Sequence, residues 1–280
     1  IFEKQNGETK VIERKKEDGY EMPNELETKS YYFNANEIND KIERVGIVPV
    51  FGENTGMAVY ENKPLKNEIN ASSGLISWWK FDGDAKDKKG INDGNLIDNA
   101  AIVNNVIRES VLSLDGNTAY VIINDDNSLD VPKLTISAWV NFADFSSGAD
   151  DSPIVIKRDS GGTDWQFIFR PEESDLGYYG GGAISGFDSG NRISTLNTWY
   201  HVAITYSSGE VTYYVNGVAG DTDSGFTIGE DQTQDIRIGS FDNSGIGNSF
   251  DLNGAIDDVM IFNRSLSAEE ITAIYNNQKM

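Results

Sequence analysis

The amino-acid sequence predicts an all-β protein: a two-sheet antiparallel jelly-roll sandwich with a short C-terminal helix, preceded by a small mixed N-terminal segment. Three observations carry this expectation. From Leu75 onward, short apolar or alternating runs recur between clusters of Gly, Asn and Asp, and many short strands joined by turn signals build sandwiches and jelly rolls. Val215-Asn216-Gly217-Val218 is a two-residue hairpin signal, because a type I′ turn needs positive φ twice and Asn-Gly tolerates it. At the C-terminus Ser267-Ala268-Glu269-Glu270 reads as a capping box, followed by Ile271, Ile274 and Tyr275 on one helical face.

Taken in order, residues 1–73 form the first segment. Ile1 to Tyr20 mixes charges of both signs with few apolar side chains, the composition of an exposed arm. Asn36 can cap a short helix carrying Ile38, Ile42 and Val45. Gly46–Phe51 reads as an edge strand because Pro49 cannot donate to a ladder, and Gly56–Tyr60 as another strand. So few large apolar groups do not make a core, so this segment is expected to lean on something else. Lys63–Gly74 is the expected linker, and residues 74–280 the second domain. After the string that opens at Leu75, its expected strands are Val111–Leu114, Ala119–Ile123, Leu134–Phe142, Pro153–Lys157, Asp164–Arg170, Trp199–Tyr206, Val211–Val215, Asp235–Ile238 and Ala255–Phe262.

Composition bounds the function. The chain of 280 residues carries 45 acidic against 23 basic side chains, a formal charge of −22, which repels nucleic-acid phosphates and anionic lipid headgroups. With no cysteine, disulfides, thiolate metal sites and cysteine nucleophiles are excluded. No apolar run is long enough to span a membrane. Ile1 in place of Met implies a processed or trimmed chain. His201 is the one histidine, so zinc sites of the usual kinds are not expected.

The first and last strings of the second domain, Leu75 to Asp84 and Gly254 to Asn263, each read as a strand with carboxylates gathered at one end. If the two are neighbours, Asp82 and Asp257 are placed to share a cation.

Six ordered blocks then carry a resemblance: Gly74-Leu75-Ile76-Ser77-Trp78-Trp79-Lys80-Phe81-Asp82-Gly83, Ser113–Val121, Leu134–Val140, Asn197–Tyr206, Tyr214–Val218 and Gly254–Ser267. Residues 74–280 resemble a laminin-G-like jelly-roll domain of the concanavalin A-like lectin/glucanase superfamily, whereas residues 1–73 resemble nothing recognised. The resemblance implies two stacked sheets with a concave face and a structural calcium where the first and last strands meet. Carried onto this chain, the calcium falls to Asp82 and Asp257, with Asp84, Asp87 and carbonyls around Gly90 to Gly94 completing a shell of six to eight oxygens.

For a ligand, Trp165, Tyr178, Tyr179 and Phe187 are the aromatic residues expected to stack on sugar rings, the tyrosines lying among glycines that let a ligand approach the backbone. The acidic stretches Asp144–Asp151 and Asp221–Asp231 are expected to be loops. The Glu-x-Asp-x-x-Glu strand of glucanases on this fold is absent, and Glu172-Glu173-Ser174-Asp175 reads as a solvated loop. The expected function is therefore non-enzymatic: an extracellular or cell-surface protein binding a glycan or protein partner through a calcium-stabilised domain. Two other readings stand beside it. One is a surface filament or layer subunit that self-assembles through residues 1–73; the other is an accessory carbohydrate-binding module of a polysaccharide-degrading enzyme.

Overall fold

The computed structural model describes residues 73–145, 151–159, 162–171, 173–180, 185–188, 190, 192–228, 233–241 and 251–279, together with the short strands at 2–5, 8–11, 50–51 and 54–55. It divides into two units, Ile1–Asn67 and Glu68–Met280. In the first, β1 (Phe2–Gln5) pairs antiparallel with β2 (Glu8–Val11), and β3 (Val50–Phe51) with β4 (Asn54–Thr55). The expected arm therefore begins as a hairpin. Gln5 stands opposite Glu8, so the intervening pair is Asn6-Gly7, the signal also read at residues 216–217. The expected helix at Ile38–Val45, the strand Gly56–Tyr60 and most of the linker lie outside the described residues.

The second unit is built from β5 (Leu75–Trp79), β6 (Gly94–Ile97), β7 (Ala101–Asn105), β8 (Glu109–Asp115), β9 (Tyr120–Ile123), β10 (Leu134–Phe142), β11 (Ser152–Asp159), β12 (Gly162–Arg170), β13 (Asp175–Gly180) and β14 (Ser185–Phe187). It continues with β15 (Trp199–Ser207), β16 (Glu210–Val215), β17 (Val218–Ser224), β18 (Ile236–Ile238), β19 (Asn253–Phe262) and one helix, α1 (Ala268–Gln278). These form two antiparallel sheets. The eight-stranded sheet runs β17-β16-β15-β10-β19-β8-β7, with β5 beside the second half of β19, and the seven-stranded sheet runs β14-β13-β12-β11-β18-β9-β6. This is the expected jelly-roll sandwich, and its first and last strands, β5 and β19, are indeed neighbours.

Alternation along the strands makes the core. Leu134, Ile136, Ala138, Val140 and Phe142 of β10 point inward with Val202 and Ile204 of β15, meeting Trp165, Phe167 and Phe169 of β12 and Val121 and Ile123 of β9. Each Val- to Phe-sized side chain so buried contributes about 1.5–3 kcal/mol relative to exposure. At the β16–β17 hairpin Asn216 and Gly217 both take positive φ, 51° and 76°, as the turn requires.

The helix forms where the capping box is written. Ser267 accepts from the Glu270 N–H while the Glu270 side chain accepts from the Ser267 N–H, satisfying two amide donors the helix itself leaves unpaired. Ile271 and Ile274 then pack on Ala203, Tyr214, Met260, Phe262 and Leu266, so α1 covers the outer face of the eight-stranded sheet. Thr272 donates to the Gly217 carbonyl, tying the helix to the hairpin beneath it (2.7 Å).

Several elements were not expected. The stretch 221–231 begins as part of β17, and 175–180, where no strand was expected, is β13. Strand β13 decides where the tyrosines point.

Candidate functional site

The four carboxylates expected to bind calcium are each engaged by nitrogen donors. Asp82 pairs with Lys80, and Asp84 with Lys88 (3.1 Å) and the Lys86 N–H, which holds its carboxyl below the usual range. Buried Asp87 accepts from the backbone N–H groups of Trp78, Lys89 and Asn92 at 2.9, 2.8 and 3.2 Å. Asp257 is buried. Its Oδ2 lies 2.6 Å from Nε of Arg108, whose Nη2 donates to Asp258 Oδ2 at 2.8 Å.

A bulge explains how two successive carboxylates reach one guanidinium. On β10 Ser137 and Trp139 are two residues apart, yet they face Met260 and Asp257, three apart, and Asp258 takes φ 48°; such an extra residue re-aims neighbouring side chains. Arg108 is 4 % exposed, donates also to the Gln278 carbonyl (3.2 Å) and lies 4.3 Å from the Trp139 ring. Burial and then the Asp258 charge push the Asp257 carboxyl up to about 7, with Arg108 opposing them.

A second pair, Asp125 and Asp130, is held by the Lys157 ammonium at 2.8 and 2.7 Å. Among the described residues no group of three or more His, Asp or Glu side chains is arranged to hold a metal ion. At Asp82, Asp84 and Asp257 the positive charge beside the carboxylate comes from the protein's own side chains.

The lone histidine sits on the same helix-covered face. His201 Nε2 and Ser137 Oγ are 2.8 Å apart, and burial, then the Arg108 charge, pushes the imidazole down to about 3, so it is neutral. A neutral imidazole beside a hydroxyl is the geometry of an activated nucleophile. Both residues are 0 % exposed here, so no substrate reaches them; the pair is internal.

Of the four expected sugar-stacking aromatics, the structure turns two inward. Trp165 and Tyr178 are fully buried in the core, Tyr178 stacking on Tyr206 with centroids 6.0 Å apart. Period-two alternation is the reason: once β12 and β13 are strands, Trp165 shares the inward face with Phe167 and Phe169, and Tyr178 with Leu176. Tyr179 and Phe187 fall on the opposite, outer face, edge to face at 5.9 Å. Arg170 lies 4.0 Å over the Phe187 ring, and the Tyr179 hydroxyl donates to Asp151 Oδ2 at 2.7 Å.

Register extends this pair into a row that the sequence did not disclose. Tyr179 is opposite Gln166, Gln166 opposite Ile156, Ile156 opposite Arg237, and Arg237 opposite Ile122. At about 4.8 Å per strand, Tyr179 to Arg237 spans ~14 Å. Phe241 packs on Ile156 and Ile168 beside the row. Arg237 donates to its carbonyl (3.3 Å), and the Arg158 guanidinium lies 5.8 Å from its ring. Gly177 is needed here: a Cβ would come within 2.9 Å of both Ile168 and Phe187. The face thus keeps aromatic rings and guanidinium groups partly exposed, Tyr179, Phe187, Arg158 and Arg237, around a buried centre of Gln166, Ile156 and Ile168.

Comparison with known proteins follows the same lines. Residues 115–272 match the family profile Laminin_G_3, described as concanavalin A-like lectin/glucanases superfamily. No curated protein matches the chain. Among solved structures, the chain is similar to domain 4 of AbnA, a GH43 extracellular arabinanase from Geobacillus stearothermophilus, in complex with arabinotriose. That likeness has 17 % identity and TM-score 0.60, over 74 % of this chain and 99 % of that one. It is also similar to the binding domain of Paraclostridial Mosquitocidal Protein 1, with 21 % identity and TM-score 0.58 over 73 % of this chain and 52 % of that one. A third likeness is to Trypanosoma rangeli sialidase in complex with the inhibitor DANA, at 17 % identity and TM-score 0.55 over 72 % and 33 %. The chain spans about half of the toxin domain and a third of the sialidase. At these identities the likeness is one of fold.

Proposed function

The chain belongs to the concanavalin A-like lectin/glucanases superfamily, and from that premise we propose that it is a non-catalytic binding domain that recognises a glycan through the outer face of its seven-stranded sheet. The observation that carries the reading is the set of partly exposed side chains Tyr179, Phe187 and Arg237 on that one face. The partly exposed rings of Tyr179 and Phe187 offer apolar surface to sugar C–H groups, while the partly exposed Arg237 brings a guanidinium to the same row. Binding is reversible and no bond is made or broken. A glycosidase needs two carboxyl groups flanking the scissile bond. On this face Asp151 accepts from Tyr179, and both Asp151 and Glu173 lie beside Arg170.

The natural setting we propose is outside the cell or at its surface, where glycans are displayed. A second reading, an accessory module of a polysaccharide-degrading enzyme, is favoured by the likeness to nearly the whole of an arabinanase domain crystallised with arabinotriose. The test is a glycan array probed with the full chain and with Tyr179→Ala and Phe187→Ala. Binding by the wild type that falls at least about tenfold in either variant, with an unchanged melting temperature, supports the reading. A wild type that binds no glycan on the array, or variants that bind as it does, contradicts it.

A further inference from the structure

Resting on the glycan-binding reading above, we infer that this face takes an acidic glycan, one bearing a sugar carboxylate, and that Arg158 is the residue that pairs with it.

The argument begins with charge accounting. The chain has 45 acidic side chains to 23 basic ones, so a guanidinium in it has carboxylates to spare. Four other arginines use them: Arg108 holds Asp257 and Asp258, Arg170 holds Glu173, Arg192 holds Asp188, and Arg264 holds Glu270 through two parallel bonds. Arg158 does not. Among the described residues its guanidinium has no carboxylate and no hydrogen-bond partner; its one interaction is with the Phe241 ring, at 5.8 Å.

Position makes that lone charge useful. Arg158 lies on β11 two residues beyond Ile156, the middle of the row, and its partner ring Phe241 packs on Ile156 and Ile168. A guanidinium resting on an aromatic ring is oriented without spending its donors, and its planar fork matches a carboxylate with two parallel N–H···O bonds. The Arg237 side chain reaches the Phe241 carbonyl from the next strand, adding positive charge on the same side. The two acidic groups at the other end, Asp151 and Glu173, lie beside Arg170. The face therefore has a partly exposed aromatic end, Tyr179 and Phe187, and a partly exposed cationic end, Arg158 and Arg237, on either side of the buried Ile156, Ile168 and Gln166. An oligosaccharide with a ring on the first and a carboxylate on the second satisfies both; a neutral one leaves the Arg158 donors to water.

The test uses acid and ester pairs, which share shape and differ in charge: trigalacturonate, a glucuronate disaccharide and sialyl-lactose, each as free acid and as methyl ester. Titrated calorimetrically into the full chain, at least one acid is expected to bind about tenfold or more tighter than its ester, the range of a charge-assisted bidentate pair. In Arg158→Gln that acid-to-ester ratio is expected to fall toward one. Acid and ester bound equally overturns the charge inference and leaves the glycan reading standing. A ratio that survives Arg158→Gln overturns the assignment to Arg158. If no acid and no ester binds, both the inference and the reading beneath it fail.

Discussion

The outer faces of the two sheets are made by the same period-two alternation, yet one, the sealed face, is covered by a helix, and the other, the open face, keeps large side chains partly exposed around the buried Ile156 and Ile168. On the eight-stranded sheet α1 lies over Ala203, Tyr214, Met260 and Phe262, and many of the polar groups around it are paired inside the protein. Arg108 takes Asp257 and Asp258, Trp78 Nε1 donates to Asp258 at 2.8 Å, Trp139 Nε1 donates to Gln278 at 3.1 Å, and His201 meets Ser137. On the seven-stranded sheet no described helix covers Tyr179, Phe187, Arg158 and Arg237, and they keep partial exposure. The contrast teaches how to weigh chemistry-bearing residues. The sealed face holds those that look most reactive by type: a histidine on a serine, and two carboxylates on an arginine. Burial converts them into structure, while the plainer residues of the open face remain able to meet a ligand.

The largest expected consequence is at the sealed face. Arg108→Ala leaves Asp257 and Asp258 buried without their cation, and removing one partner of a buried pair costs about 3–5 kcal/mol. Urea unfolding is expected to show a loss in that range; a loss below about 1 kcal/mol, the size of an exposed pair, would mean the cluster does not brace the strands. Tyr179→Ala and Arg158→Gln, on the open face, are expected to change stability by less than about 1 kcal/mol in the same assay, because they are partly exposed. Equal losses on the two faces would erase the contrast.

Next in size is a pH effect. The folded His201 pKa, about 3, lies below the ordinary value of 6.5. Between these values the unfolded chain binds the extra proton, so its contribution to stability is complete above 6.5 and is lost as pH falls toward 3. Asp257, raised to about 7, acts with the opposite sign, so the comparison to make is wild type against His201→Gln. Melting curves from pH 7.5 to 4.5 are expected to fall more steeply for the wild type; parallel curves would place the imidazole in contact with water. The smallest effect concerns calcium. Because Lys80, Lys88, Arg108 and backbone N–H groups occupy the carboxylates in question, a chelator is expected to leave the melting temperature unchanged. A fall would show a bound cation, since any ligand of the folded state alone raises stability.

Much of the fold was legible because local and global signals agree. Leu134–Phe142 and Trp199–Tyr206 alternate, Asn216-Gly217 writes its own turn, and Ser267 to Glu270 caps the helix as its residue types require. Elements without a period were lost. Strands β6 and β7 leave apolar side chains such as Leu96 and Val103 exposed, and β7 has no inward rhythm to read. Strand β13 is punctuated by Gly177 and Gly180, which read as turn residues. They are required for close approach instead: a Cβ on Gly180 would come within 2.3 Å of the Thr227 carbonyl oxygen. With β13 missed, the inward turn of Tyr178 and the outward turn of Tyr179 had no basis. The Asn6-Gly7 hairpin was passed over because the charged composition around it outweighed a two-residue signal. Arg108 was out of reach for another reason, since nothing local to a turn reports a partner 149 residues away.

The central claim is that the open face of the seven-stranded sheet, and not the helix-covered one, meets the ligand. Amide chemical-shift mapping of the full chain during titration with an array-selected glycan tests it most directly. Shifts concentrated on 153–159, 165–170, 176–187 and 236–241, with residues 253–278 unmoved, are the predicted result. Shifts concentrated on α1 and on the strands beneath it would contradict the account.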